Sequence, residues 1–247
     1  MEKAIRSILL KTLGLEGYLA IVSDAYLRIT NAGFLKAKYP ELFFLKQLIK
    51  PGFVSIDIGA NVGYYSTNIS RLSGANGKVY AIEPVPLFAN VFKRNAHKFA
   101  LNNITLYQTA LGAENKKIEM GTPVIDGVFR HGLTHVLDSK DDNSALATFE
   151  AEMKIPDELF ANMEKLDFIK CDVEGYEVHL FPHLINTISK FKPLIQIEIS
   201  NAENRKQILD LLKPLGYKGF VIKSGALIEL SDQDTVNYTL GDLYFKI

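Results

Sequence analysis

The stretch IDIGANVGYYS, residues 56 to 66, contains the change of pattern that decides the fold. The apolar residues at its start, with Phe53 and Val54 before them, are typical of a buried strand. The glycines that follow predict a tight turn. Beyond the turn, apolar side chains recur at helical spacing, at Val62, Tyr65, Ile69 and Leu72. The stretch therefore predicts a strand, a tight turn and the start of a helix.

The turn can bind a charged ligand, and its residues indicate which kind. A helix N-terminus presents unpaired backbone N–H groups and a partial positive charge, which dinucleotide-binding proteins use to hold pyrophosphate. Asp57 would repel a phosphate, and Asn61 stands where such a loop would carry its second glycine. An amino-acid head group suits this turn better, because its ammonium can reach Asp57, directly or through water, while its carboxylate meets the N–H groups. S-adenosylmethionine has both groups.

The composition limits the number of domains and the kinds of partner. With 247 residues, of which 47% are hydrophobic, the chain can bury a substantial core. We expect an N-terminal helical segment at residues 1–50 and one α/β domain at residues 51–247. The 28 basic residues balance 28 acidic ones, so no overall field attracts nucleic acid and no nucleic-acid partner is expected. The sequence makes no prediction of the oligomeric state.

The N-terminal segment has an apolar stripe with basic residues beside it. The stripe comprises Ala4, Ile5, Ile8, Leu9 and Leu13. Two interpretations stay open, a helix packed on the domain or a helix that contacts a membrane surface or a partner. The apolar run at residues 8–10 is too short for a secretory signal or a membrane-spanning helix, so the expected compartment is the cytoplasm.

Strand and helix patterns alternate along most of the chain. Further strands are predicted at residues 78–83, 104–109, 166–171, 194–199, 217–223 and 242–247, with helical patterns between most of them. This alternation implies right-handed crossovers and a mainly parallel sheet, so we predict a doubly wound, Rossmann-like α/β fold. The single cysteine, Cys171, excludes an internal disulfide and is expected to be packed in its strand.

Residues 121–165 interrupt this alternation and contain Gly, Pro, Asp and His residues. A long interruption of this kind is usually functional or disordered. In an open α/β sheet, ligands bind outside the carboxyl ends of the strands, and this segment must cross that end. We interpret it as an insertion that binds the acceptor substrate.

Acidic residues follow two of the predicted strands. Glu83 ends the second strand, twenty residues after Gly63, where a carboxylate can accept hydrogen bonds from both ribose hydroxyl groups of an adenosine. Asp172 and Glu174 follow a later strand in the run IKCDVEGYE. A structural carboxylate that caps the next helix is expected for Glu174 more than for Asp172. The sequence therefore favours a binding-site role for Asp172 at the mouth of the sheet.

Four segments follow one another in the order FVSIDIGANVGYYS, VYAIEP, TALG and FIKCDVEGYE. In this order and with these separations they resemble the FkbM-type class I methyltransferases, across roughly residues 40–247. The resemblance implies a seven-stranded sheet with a reversed final strand and S-adenosyl-L-methionine as the methyl donor. It also implies a small-molecule or glycan acceptor, commonly methylated on a hydroxyl of a sugar, a glycan or another natural product.

The resemblance assigns roles to individual positions. The turn residues match the cofactor turn, Glu83 matches the acid that binds ribose, and Asp172 matches the acidic position beside the methionine moiety and the methyl group. Glu198 matches an acid often found in the fifth strand of the family. The predicted cofactor-binding residues are Asp57, Gly59, Ala60, Asn61, Gly63, Tyr65, Glu83, Pro84 and Asp172.

An alcohol acceptor must lose its proton, so a catalytic base is needed. The candidates are Asp172 and, within the insertion, His131 and His135, of which we select Asp172 and His135. Arg130 could instead hold an anionic acceptor. The two histidines are four residues apart, but Gly132 argues against a regular helix between them, so no metal site is predicted.

Three alternatives compete with this assignment. A nicotinamide-dependent oxidoreductase would share the sheet and the acid at Glu83, but it needs a phosphate cradle that Asp57 opposes. A nucleoside-binding module without turnover would keep the fold, and the intact acidic set argues against it. A base-modifying enzyme of nucleic acid would often carry an Asn/Asp-Pro-Pro-aromatic run where CDVEG stands.

Overall fold

The computed structural model describes residues 2–125, 128–129, 135–136 and 146–247, with side chains for residues 9–122 and 148–247. The described strands are β1 (Val54–Ile58), β2 (Lys78–Ile82), β3 (Ile104–Tyr107), β4 (Ala110–Leu111), β5 (Lys116–Ile125), β6 (Val128–Phe129), β7 (His135–Val136), β8 (Leu146–Lys154), β9 (Phe168–Cys171), β10 (Leu194–Ile197), β11 (Lys218–Lys223), β12 (Ala226–Glu229) and β13 (Leu243–Lys246). The described helices are α1 (Glu2–Asn31), α2 (Pro40–Leu48), α3 (Tyr64–Ser73), α4 (Pro86–Phe99), α5 (Pro156–Leu159), α6 (Glu177–Leu180), α7 (Ile185–Phe191), α8 (Ala202–Leu212) and α9 (Asp232–Asn237).

The main sheet has eight strands in the order β12-β11-β13-β10-β9-β1-β2-β3. Strands β3, β2, β1, β9 and β10 are parallel, and β13 runs antiparallel to both of its neighbours. The predicted mainly parallel α/β sheet with a reversed last strand is therefore confirmed. The eighth strand, β12, was not predicted. It pairs with β11 across a two-residue turn at Ser224 and Gly225, both with positive φ, which suits a tight hairpin.

The central strands are buried on both faces, as parallel strands between helices should be. One face carries Ile56, Ile58, Ile169 and Cys171, which pack with apolar residues of α6, α7 and α8. The other face carries Phe168, which packs with residues of α2 and α3. Cys171 is a fully buried free cysteine, as the sequence predicts. The same alternation places Asp57 and Lys170, which are neighbours across β1 and β9, on the face of α2 and α3.

A second, antiparallel sheet lies between the two halves of the main sheet in sequence. Its longest ladder joins β5 to β8, from the pair Lys116 and Met153 to the pair Pro123 and Leu146. The departure from strand–helix alternation thus begins before residue 121. The inward side chains of this ladder, Ile118, Met120 and Met153, pack in one cluster with Val62 and Val85 from the loops that follow β1 and β2. The ladder is therefore positioned beside the carboxyl ends of β1 and β2.

The N-terminal segment is helical, as predicted. Helix α1 has a non-helical residue at Gly14 and packs its inner side, including Leu19 and Ala20, with residues of α4. Helix α2 packs against α3. Among the described residues, no helix is both long and apolar enough to cross a membrane.

Gly59 allows β1 and β9 to end close together, and its replacement tests this contact. Gly59 has φ +78, and a Cβ there would lie 1.8 Å from the backbone oxygen of Asp172. We expect Gly59→Ala to lower the free energy of unfolding by about 2–5 kcal/mol, from left-handed strain plus overpacking. Urea denaturation measures this loss.

Gly52→Ala is the matched control. Gly52 has φ +80, but no atom lies within 4 Å of an added Cβ. We expect this variant to lose only the left-handed strain, about 1–2 kcal/mol. Equal losses in the two variants would contradict a tight contact at Gly59.

Candidate functional site

The turn after β1 is held against the end of β2 by backbone hydrogen bonds. The N–H groups of Gly59 and Ala60 both donate to the carbonyl of Ile82, at 3.1 and 2.9 Å. Helix α3 then begins with Gly63 at its N-cap, which has no side chain to accept from the first N–H groups of the helix. Those N–H groups are available to a ligand carboxylate.

Glu83 joins the turn to the end of β2. Its Oε2 accepts from the N–H of Asn61 and its Oε1 accepts from the N–H of Val85, both at 2.8 Å. Glu83 as a whole is 4% exposed. Burial raises its pKa to about 7, against the lowering effect of the two N–H donors. Each oxygen of an ionised carboxylate can accept a second hydrogen bond, so Glu83 keeps capacity for two ligand hydroxyl groups.

Asp57 lies deeper than Glu83. It is 2% exposed, and its Oδ2 accepts from the hydroxyl of Ser66 at 2.5 Å. Burial raises its pKa to about 6, while the hydroxyl of Ser66 and the charge of Lys170 act in the opposite direction. Contact with a ligand ammonium would use the other oxygen of Asp57 or a water molecule. Ser66, which orients Asp57, was not singled out in the sequence, although it lies in the first turn of α3, three residues after Gly63.

Lys170 is a buried cation beside the site that the sequence did not reveal. Its Nζ lies 3.6 Å from Oδ2 of Asp172 and 3.9 Å from Oδ2 of Asp242. The ring centroid of Tyr65 is 5.0 Å from the same Nζ. Burial alone would lower the pKa of Lys170, but the carboxylates of Asp172 and Asp242 outweigh it and hold that pKa well above its ordinary value.

The loop after β9 is ordered by Glu177. This side chain is 1% exposed, and its Oε1 accepts from the N–H groups of Val173 and Gly175 at 3.1 and 3.2 Å. The structural carboxylate of this loop is therefore Glu177, and the expectation that Glu174 has this role is wrong. Glu174 instead lies at the surface with a positive φ of 53°. Its carboxyl group is not tied to the loop by any described hydrogen bond.

Three carboxyl groups gather at the carboxyl ends of β9 and β10. We call Asp172, Glu174 and Glu198 the acidic rim. The side chain of Asp172 is 35% exposed. Partial loss of water, together with the negative charge of Asp172, raises the pKa of Glu174 and of Glu198 to about 7 each. Among the described residues, no group of His, Cys, Asp and Glu is arranged to hold a metal ion.

The other predicted residues fall in different places. Ala60 is buried in the turn. Pro84 lines a shallow cleft of about 210 Å³ with residues of β5 and β8 and of the loop after β3. The backbone of His135 pairs with Gly121 in β7 and β5, but its side chain lies outside the described residues, as do Arg130 and His131. The prediction of His135 as a base therefore stays a prediction.

A family model described as the methyltransferase FkbM domain matches residues 57–219, which is about two thirds of the chain. The chain belongs to the FkbM methyltransferase family. The matched range contains the turn, Glu83 and the acidic rim, so the predicted family is confirmed. This is a family of S-adenosyl-L-methionine-dependent enzymes.

The three relatives described next are 13–27% identical to this chain over the aligned residues. A probable cobalt-precorrin-6B C(15)-methyltransferase of Sulfurisphaera tokodaii is 27% identical over 124 residues, which cover 49% of this chain and 63% of that protein. The crystal structure of methyltransferase FkbM from Methylobacillus flagellatus has a TM-score of 0.47 and 16% identity, and covers 81% of this chain and 48% of that one. Aeropyrum pernix fibrillarin with bound S-adenosyl-L-methionine has a TM-score of 0.48 and 13% identity, over 84% and 73% of the chains.

The residues of this site fit S-adenosyl-L-methionine, the cofactor of the family. The uncapped start of α3 suits the methionine carboxylate, and Glu83 retains an acceptor site on each oxygen for the ribose hydroxyl groups. Because Gly59 has no Cβ, the turn lies directly against the backbone of Asp172. These residues would hold the cofactor along the carboxyl ends of β1, β2 and β9.

Cofactor affinity should depend on the ionisation of Glu83. Hydroxyl donors favour the ionised form, and the pKa of Glu83 in the free protein is about 7. We expect the affinity for S-adenosylmethionine to fall roughly tenfold between about pH 8 and about pH 6, because most of Glu83 becomes protonated. Calorimetric titration at several pH values measures this change.

The variant Glu83→Gln tests whether the pH dependence of cofactor binding comes from Glu83. This variant should bind more weakly at pH 8 and lose most of the pH dependence. In the absence of ligand, its stability should also change less with pH. Glu83 titrates at a higher pH in the folded chain than unfolded, so its contribution is present below pH 4.5 and is lost as the pH rises through about 7. An unchanged pH dependence of binding in the variant would contradict the assignment.

Lys170 should stabilise the fold through its two carboxylate partners. Lys170→Met leaves Asp242, which is 8% exposed, without its cation. We expect a loss of about 3–5 kcal/mol in the free energy of unfolding, as for a broken buried ion pair. The double variant Lys170→Met, Asp242→Asn should recover part of this loss in urea denaturation. A single variant as stable as the parent would contradict the role.

Proposed function

We propose that this protein transfers the methyl group of S-adenosylmethionine to a hydroxyl oxygen of a neutral sugar, glycan or other polyhydroxylated natural product. The observation that supports this proposal is the acidic rim beside the cofactor turn. Carboxylates accept hydrogen bonds from hydroxyl groups, and their negative charge disfavours an anionic acceptor. An acceptor with several neutral hydroxyl groups suits this rim best.

Asp172 is the proposed catalytic base. When bound, the cofactor supplies a methyl group on a positively charged sulfur that becomes a neutral thioether. The chain must hold the acceptor hydroxyl in line with that methyl group, and such alignment can supply roughly 7–11 kcal/mol. The Asp172 carboxylate would take the hydroxyl proton as the acceptor oxygen takes up the methyl group. Lys170, at 3.6 Å, fixes the position of that carboxylate.

The antiparallel ladder of β5 and β8 is the proposed acceptor-binding part. Its inner side packs against Val62 and Val85, so its position is coupled to that of the cofactor turn. The shallow cleft between this ladder and Pro84 lies at the same edge of the main sheet. The hydroxyl of Tyr176, in the loop that also carries Asp172 and Glu174, lies 4.0 Å from the sulfur of Met153 in β8, so an acceptor held by the ladder would also be close to the acidic rim.

The first experiment separates donor from acceptor. Calorimetric titration with S-adenosylmethionine, S-adenosylhomocysteine and NAD tests the donor, and binding of NAD alone would contradict a methyltransferase. Incubation with isotopically labelled donor and panels of neutral sugars, glycans and phosphorylated sugars then tests the acceptor. Mass spectrometry of the product distinguishes a methyl ether from a C-methyl group, the modification named for the Sulfurisphaera tokodaii relative. A C-methylated product would overturn the proposed oxygen acceptor.

Asp172→Asn separates binding from turnover. This variant keeps the size of the side chain but cannot take a proton, so we expect turnover to fall by about 10²–10⁴-fold with little change in cofactor affinity. Asp57→Ala and Glu83→Ala should instead weaken cofactor binding. The matched control is Glu174→Gln in the same loop, which should retain most of the turnover. An equally large loss of turnover in Glu174→Gln would contradict a specific role for Asp172. It would instead assign the proton transfer to the acidic rim as a whole.

A further inference from the structure

The outer side of α1 and the loop after it expose large apolar side chains. They are Ile21, Val22, Ile29, Phe34 and Leu35, with exposed fractions of 48%, 38%, 43%, 66% and 41%. Residues 21, 22, 25 and 29 lie on one side of a helix. The opposite side of α1, which includes Leu19 and Leu27, is buried. The exposed stripe is therefore separate from the side chains that hold α1 in place.

Basic residues lie along the α4 side of this stripe and in the loop that follows α1. Arg28, Lys36 and Lys38 come from α1 and its loop, and Lys93, Arg94 and Lys98 come from α4; all six are exposed. A groove between the two helices is lined by Ala20, Asp24, Lys93, Arg94, Asn95, His97 and Lys98. The α4 residues therefore lie along the edge of α1 that carries Asp24 and Arg28.

The charge of this face differs from that of the chain as a whole. Residues 16–38 and 86–99 contain six Lys and Arg residues and two acids, Glu16 and Asp24, whereas the whole chain has no net charge. Asp24 is already paired with both Arg28 and Lys98. A basic excess thus coincides with exposed aliphatic and aromatic side chains.

We propose that this face, defined by Ile21, Val22, Ile29, Phe34 and Leu35 with the six basic residues beside them, docks on a bilayer that contains anionic lipids. Apolar side chains of a helix lying in the interface enter the boundary between headgroups and acyl chains, and lysine and arginine contact the lipid phosphates. The stripe is short, so both contributions are needed. Nucleic acid would contact the basic residues, but it would not account for the exposed Ile, Val and Leu side chains.

Vesicle flotation of the full chain tests this docking. We expect binding to vesicles of phosphatidylcholine mixed with phosphatidylglycerol, weaker binding to phosphatidylcholine alone, and release by salt. Phe34→Ser with Leu35→Ser should abolish flotation. Lys93→Glu with Arg94→Glu should weaken it by at least roughly fivefold for each charge removed. Both pairs are exposed, so the variants should unfold at the temperature of the parent.

A matched control changes the same residue types elsewhere. Ile228, 44% exposed, and Lys223 lie on β12 and β11, at the opposite edge of the main sheet from β2 and β3, which α4 connects, so Ile228→Ser with Lys223→Glu should leave flotation unchanged. Absence of flotation with the anionic vesicles would overturn the proposal. Equal binding to both kinds of vesicle would do so too. Self-association, or RNA binding, that is lost in the Phe34 and Leu35 variant without any lipid binding would assign the face to another partner. These readouts need no methyl transfer, so they are independent of the proposed function.

Discussion

The close approach of two backbone segments at Gly59 is the constraint on which the rest of the site depends. Strands β1 and β9 are neighbours in the sheet, and each ends in a loop that must turn away at the same edge. Only a residue without a Cβ fits against the carbonyl of Asp172 there. As a result the cofactor turn lies directly against the backbone of Asp172.

A row of charged side chains continues from this contact into the sheet. Asp57 and Lys170 are paired in register across β1 and β9, and Lys170 also faces Asp172 and Asp242. These charged side chains can be buried because each has a partner of opposite sign or a hydrogen bond. Asp242 stands just before the reversed strand β13, so the C-terminal part of the chain contributes directly to the electrostatics of the site.

The sequence was most informative where function and backbone geometry depend on a few adjacent residues. The turn, Glu83 and Asp172 could be placed because glycines and acids directly follow apolar strands, and the mainly parallel character of the sheet follows from strand–helix alternation. Lys170 could not be recognised, because a lysine within an apolar strand gives no sign of partners distant in sequence. Glu177 was missed for a similar reason, since its role requires the loop to fold back onto it.

Helix α1 is connected to the cofactor turn through a second buried polar contact. Asn95 of α4 donates from Nδ2 to the carbonyl of Val62 at 2.8 Å and to the hydroxyl of Ser23 at 3.0 Å. Both side chains are almost fully buried, so these bonds fix the position of α1 relative to the turn. The same helix carries the exposed apolar stripe on its other side. A surface bound by that stripe would therefore lie at a fixed distance from the cofactor turn.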